Sequence, residues 1–186
     1  MIGYALCGSF CTLGASLTAM ERLAADGVEI LPIMSDCSYS TDTRFFKSET
    51  LCRRIEEITG NPIIHTIVDA EPLGPSRPLE AMIIAPCTGN TLSKLANGIT
   101  DTAVTMAAKA HLRCDRPLLI ALASNDALSA NLRNLSVLLN RKSVYFVPMR
   151  QDDPHNKPHS LIADFELLFP TLQSAMKGEQ YQKIFV

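Results

Sequence analysis

The stretch Ala81-Met-Ile-Ile-Ala-Pro-Cys-Thr-Gly-Asn90-Thr-Leu-Ser-Lys-Leu-Ala-Asn-Gly98 decides the fold. A short, fully apolar run stops at a proline, a cluster of small polar residues follows, and a helical pattern begins. An apolar run this short between turn signals reads as a strand buried on both faces of a parallel sheet. Pro86 has no N–H for a ladder, so the strand is expected to stop at Ala85. Thr88–Thr91 then lies on a strand-to-helix loop at a carboxyl end, where open α/β sheets bind ligands. The loop holds more hydroxyl and amide groups than one helix cap needs. It suits a polar, flat or anionic small molecule.

Working outward, strand and helix alternate. Strands are expected at Ile2–Leu6, Val28–Met34, Ile63–His65, Ala81–Ala85, Leu118–Ala123 and Val144–Val147. Helices are expected at Thr12–Ala25, Arg44–Thr59, Thr91–Ala96, Thr102–Leu112 (capped by Asp101) and Ser129–Asn140. Asp69–Pro78 is a proline-rich loop. After Pro148 the chain reads as irregular, with one or two helices from Ser160 to about Gly178. This alternation predicts an α/β fold: a doubly wound, mainly parallel sheet of the Rossmann or flavodoxin-like type, with helices on both faces. In the order 3-2-1-4-5-6, the first and fourth strands are neighbours at the reversal point, so the loops after Leu6 and Ala85 share a crevice.

Composition narrows the function. The 186 residues are 47% hydrophobic and 19% charged, with a net charge of −2, and read as one domain whose residues 148–186 form a lid or tail. The absence of a long basic run and the scarcity of aromatics argue against nucleic acid. No apolar run approaches the ~20 residues of a membrane span. The amino terminus lacks a basic region, so a cytoplasmic protein is expected. The six cysteines show no metal-ligand spacing, so they read as reduced thiols and no metal site is expected.

The candidate site residues cluster after strands. In Leu6-Cys-Gly-Ser-Phe-Cys-Thr12, Gly8 permits close approach, while Ser9 and the following helix start suit a phosphate; a tight connection is the alternative. The next glycine is Gly14, so the dinucleotide fingerprint is missing and a mononucleotide fits better. After the second strand, Asp36 suits a ribose and Ser35 a phosphate or ribitol, or the pair merely begins a loop. Asn125-Asp126 follows the fifth strand, where Asn125 binds a carboxylate or ring carbonyl or the segment caps the next helix. Arg44 and Arg150 are possible clamps for an anion, and otherwise surface arginines. His155 and His159 could move protons or sit idle in an exposed loop. His65 and His111 read as structural, and Cys87 as a lining residue.

Pro86-Cys-Thr-Gly-Asn-Thr91 resembles the Pro-Ala-Ser-Ala-Asn-Thr of the homo-oligomeric flavin-containing cysteine decarboxylases. Pro86-Cys-Thr-Gly-Asn-Thr-Leu92 resembles the Pro-Cys-Ser-Met-Lys-Thr-Leu of the flavin prenyltransferases. Gly8, Ser9 and Ser35 match further family positions, and the likeness covers Ile2 to about Val147. It implies FMN, with phosphate near Gly8, Ser9, Phe10 and Ser35 and the flavin ring near Thr88, Gly89, Asn90, Thr91 and Ser124. The chain keeps Asn125 of the decarboxylase motif but not its tryptophan or first methionine, and lacks the glycine-rich flap. Asn90 stands where the prenyltransferases carry lysine, and Ser124 where they carry arginine.

A narrower resemblance, to the B subunits of dipicolinate synthases, is carried by Ile84–Asp101 and by Tyr145-Phe-Val-Pro-Met-Arg-Gln-Asp-Asp-Pro-His-Asn-Lys-Pro158. It implies one component of a two-component enzyme. The other, the dehydrogenase-like A subunit, would hold NAD(P). Together they would oxidise dihydrodipicolinate to dipicolinate (pyridine-2,6-dicarboxylate) in the mother cell of a sporulating bacterium. Asn90, Asn125 and Arg150 are then the expected substrate contacts. Self-association as a trimer or higher assembly is also implied. The alternatives are a cofactor-free scaffold and an FMN-dependent lyase of the phosphopantothenoylcysteine decarboxylase type.

Overall fold

The strands of the central sheet have no polar face. In β1 (Ile2–Leu6), Ile2, Tyr4 and Leu6 enter one hydrophobic cluster, while Ala5 and the following Cys7 enter another on the opposite side. Such a strand is stable only with helices above and below. The computed structural model, which describes residues 1–186, supplies them. On one face lie α1 (Leu13–Ala25), α3 (Ser48–Thr59) and α8 (Leu168–Ala175). On the other lie α4 (Ile67–Ala70), α5 (Gly89–Ala96), α6 (Ala103–Leu112) and α7 (Leu132–Leu139). The short α2 (Asp36–Ser40) follows the second strand.

The parallel core runs β2 (Ile30–Met34), β1, β3 (Met82–Cys87), β4 (Leu118–Ser124), β5 (Val144–Phe146). The expected strand at Ile63–His65 survives as one parallel bridge, Ile33 to Ile64, outside β2. With that bridge counted, the order 3-2-1-4-5-6 holds, and the direction of winding reverses between β1 and β3. The expected stop at Ala85 does not: β3 continues through Pro86 to Cys87, and its register with β4 shifts between Ile84 and Cys87. The missing proline N–H falls in that irregularity, where no ladder bond is required.

Several helix boundaries also differ. α3 begins at Ser48 rather than Arg44, because Asp42 accepts the Ser48 N–H (2.9 Å) and Thr43 Oγ1 accepts the N–H groups of Phe45 and Phe46 (both 3.1 Å), folding 41–47 into a turn. α6 is capped by Thr102 in a reciprocal box with Thr105, while Asp101 is held by Lys94 at 2.8 Å. α7 begins at Leu132, not Ser129; Ser129 turns back to the Asp126 carbonyl.

The largest departure is after Pro148. Met149–Arg150 (β6) and Leu161–Ala163 (β7) form an antiparallel pair, and β7 also joins the carboxyl end of β4 through Ala123–Ile162 and Ser124–Leu161. Residues 151–160 thus arch over the carboxyl edge of the sheet. Strands of two and three residues are too short for alternation to reveal. No helix is long and apolar enough to cross a membrane.

His111 is buried at the end of α6; its Nε2–H donates to the Pro117 carbonyl at 2.9 Å and its Nδ1 has no partner. Burial holds its pKa below the ordinary value. Its contribution to stability is therefore complete above the unfolded value of about 6.5 and is lost as pH falls through the folded value. The urea midpoint should drop between pH 7 and 5, and His111→Gln should flatten that slope; an equal slope in both proteins contradicts the assignment.

Candidate ligand-binding site

Parallel neighbours end side by side. The β1–β3 pairing therefore brings the loop after Leu6 to the loop after Cys87, and β4 adds Ala123–Asp126. Between these ends and the arch lies a cavity of ≈ 960 Å³, at the upper end of the ~300–1,000 Å³ usual for small-molecule sites. Gly8–Thr12, Arg44–Phe45, Thr88–Asn90, Ala123–Asp126, Asp152 and Asn156–Ile162 line it.

Two helix starts face the cavity. Phe10–Thr12 forms a 3-10 turn leading into α1, with Thr12 Oγ1 donating to the Ser9 carbonyl at 2.9 Å. At the start of α5, Thr88 Oγ1 accepts the Thr91 N–H at 3.2 Å. The first-turn N–H groups of Phe10 and Cys11, and of Gly89 and Asn90, have no partner within their helices. A Cβ on Gly8 would lie 3.3 Å from Cys37 Sγ and 3.4 Å from Phe10 Cζ, so glycine keeps this turn slim. The cavity holds cations and anions in balance. Lys157 is paired with Asp152 at 2.9 Å. Arg44 lies 4.8 Å from the Phe45 ring centre and enters no ion pair. It is a cation available to a ligand.

Of the residues expected at a site, Gly8, Ser9, Phe10, Thr88, Gly89, Asn90, Ser124 and Asn125 line this one cavity, with Arg44 and His159. Ser35, Thr91 and Arg150 do not. Ser35 caps α2, accepting the Ser38 N–H. Thr91 is buried and donates to Cys7 Sγ at 3.3 Å. Arg150 pairs with Asp164 at 3.0 Å. Cys87 does not line the cavity either: the register shift after Ile84 turns it into the core. Burial raises its pKa, as it raises that of Cys7 to about 11. Neither is a thiolate at neutral pH.

Other wall residues lie in segments the sequence singled out or in a turn it did not reveal, but none was itself an expected contact. Asp126 is clamped by Ser124 Oγ–H and by Asn131 Nδ2–H, the latter at 2.9 Å. Phe45 is placed by the turn after Asp42. Asp152 and Lys157 reach the cavity only because 151–160 is an arch. Short polar bonds hold that arch: Asn156 to Asp153, Gln151 to the Pro158 carbonyl, and the Leu128 N–H to the His159 carbonyl at 2.9 Å. A mixed-charge, proline-containing segment was the one available signal, and it gave no strand pairing.

The comparisons agree with this geometry. Residues 2–166 match the family model described as Flavoprotein. The chain is 45% identical over 185 residues to the B subunit of dipicolinate synthase from Bacillus subtilis (strain 168), covering 100% of this chain and 92% of that protein. It superposes on the crystal structure of the B subunit of dipicolinate synthase from Bacillus halodurans C with a TM-score of 0.92 and 43% identity, covering 100% of this chain and 95% of that one. The FMN-dependent cysteine decarboxylase SpaF shares the fold, at a TM-score of 0.70 and 22% identity, covering 95% of this chain and 94% of that one. The chain is a homologue of the dipicolinate synthase B subunit, and it belongs to the flavoprotein family.

Proposed function

We propose that this chain is the B subunit of a dipicolinate synthase and that its cavity holds FMN. The observation that supports the cofactor is the meeting of Gly8–Thr12 and Thr88–Asn90 in one cavity with the unpaired Arg44. The full-length likeness to the B subunit of dipicolinate synthase supports the reaction. Gly8, Ser9 and Phe10 would receive the phosphate on backbone N–H groups, and Arg44 would add charge-assisted hydrogen bonds. Ser35, close behind this loop with its N–H on the Leu6 carbonyl (3.0 Å), belongs to the same end. Thr88, Gly89, Asn90 and Ser124 would edge the flavin ring, with Thr91 supporting Thr88 from behind.

If bound, flavin would supply a two-electron relay between the substrate and the nicotinamide nucleotide, which is the final acceptor. The remaining chemistry belongs to placement. A dihydropyridine dicarboxylate loses a hydride and a proton as it becomes aromatic, and the nicotinamide nucleotide that takes the hydride is assigned to the A subunit. Asn90 and Asn125 hold a flat carboxylated ring by amide hydrogen bonds, and 151–160 excludes water above it. Arg150, paired outside the cavity, would take part only after leaving Asp164. Partnership with the A subunit, self-association and location in the mother-cell cytoplasm are parts of the same reading.

Three measurements test it. Co-purified with the A subunit, the protein should be yellow and release FMN on denaturation; a colourless, fully active complex leaves only the scaffold reading. Ser9→Asp should abolish FMN retention by setting charge against the phosphate. Arg44→Ala should weaken FMN by about 1.5–3 kcal/mol, roughly tenfold or more in Kd, and leave riboflavin unchanged. Equal losses for both flavins remove the phosphate assignment.

A further inference from the structure

Asp126 lines the cavity and is the most constrained polar group in it. Ser124 Oγ–H donates to its Oδ1, and Asn131 Nδ2–H to its Oδ2 at 2.9 Å. Asn131 is itself buried, and its Oδ1 accepts from buried Asn134 at 2.8 Å. Asn134 Oδ1 accepts from Asn97 at 3.3 Å. A carboxylate only accepts. Asp126 therefore forces the Asn131 amide nitrogen toward itself and orients each amide behind it.

Gly89 makes room for this cluster. A Cβ there would fall 2.5 Å from Ser124 Oγ, 2.7 Å from Asn131 Nδ2 and 2.7 Å from Asp126 Oδ1. The carboxyl group thus lies against the first turn of α5, whose unpartnered N–H groups favour negative charge. The only unpaired cation on the cavity wall, Arg44, comes from the β2 side. Three strand spacings separate β2 from β4, roughly 14 Å.

We infer that Asp126 sets the polarity of the ligand. As the protein's own anion on the β4 side, it repels a phosphate or carboxylate there and directs the anionic end toward Gly8–Phe10 and Arg44. Each Asp126 oxygen gives one lone pair to the protein and keeps another for a ligand. The β4 side therefore takes a neutral, hydrogen-bond-donating ring edge, such as an imide N–H. The inference rests on the flavin reading only for the identity of that ring. A pyridine-2,6-dicarboxylate cannot lie with either carboxylate on Asp126, so Asn90 and Asn125 would hold it with both carboxylates turned away from that side chain.

Backbone amide spectra of 15N-labelled protein test this with two probes, inorganic phosphate and riboflavin. Phosphate should shift Phe10 and Cys11 and leave Gly89 and Asn90 in place, while riboflavin shifts Gly89 and Asn90. In Asp126→Asn, phosphate should also shift Gly89 and Asn90, and riboflavin should bind roughly tenfold more weakly. Phosphate shifts in the wild type as large at Gly89 and Asn90 as at Phe10 and Cys11 overturn the inference, and this arm needs no folded variant. So does unchanged riboflavin affinity in a well-dispersed Asp126→Asn spectrum. If riboflavin and FMN both fail to bind the wild type, the flavin reading falls, and the phosphate arm alone still decides the role of Asp126.

Discussion

The parallel pairing of β1 with β3 is the constraint on which the site depends. It joins segments separated by Cys7–Ala81 in the chain and sets their carboxyl ends one strand spacing apart. Three further contacts lock the junction. The Cys7 N–H reaches the Pro86 carbonyl at 3.2 Å. Thr91 Oγ1–H reaches Cys7 Sγ. Ser16, on α1, donates to the Ala85 carbonyl, and the buried Tyr4 hydroxyl lies 3.0 Å from Ser16. The last of these fixes α1 to the end of β3, so the two helix starts that face the cavity cannot move independently. Each bond is worth only about 1 kcal/mol net. Their burial makes breaking any one of them costly, because a polar group would be left without a partner.

The roof of the site is held differently. Its ion pairs, Lys157–Asp152 and Arg150–Asp164, have half-exposed cations, and pairs open to solvent contribute little. The two-residue ladder between β4 and β7 and the bond from Leu128 to His159 determine where the arch sits. At the far edge, the Gln180 side chain takes both backbone groups of Phe146, and the Met149–Phe185 bridge covers β6. The carboxyl-terminal residues thus close edges that would otherwise offer unpaired backbone groups. Sheet, arch and terminus form one connected wall, while the cavity floor remains polar.

What could be read from residues alone divides by the range of the forces involved. The apolar runs around Ile2–Leu6, Ile30–Met34 and Leu118–Ser124 are buried on both faces, so each run announces its own strand. Ile63–His65 has the same character, but only Ile64 finds a partner, since the segment lies outside β2 with nothing beyond it. Asp101 and Thr102 are both competent caps, and the choice fell to Lys94, which lies on α5 and claims the aspartate. Ser35 and Thr91 carry the residue types of a ligand contact, yet their hydroxyls serve the protein itself. Residue type marks capacity; partners decide use.

The sequence by itself determined the doubly wound class and placed Gly8–Phe10 and Thr88–Asn90 at strand carboxyl ends, because buried periodicity and right-handed crossovers leave few other arrangements. Only the tertiary structure decided which strand order sets those two loops side by side, that Asp126 lines the cavity, that Arg44 is the free cation, and that residues after Pro148 fold back as a hairpin. Those outcomes turn on contacts between residues far apart in the chain and on strands too short to imprint a period, which no local pattern encodes.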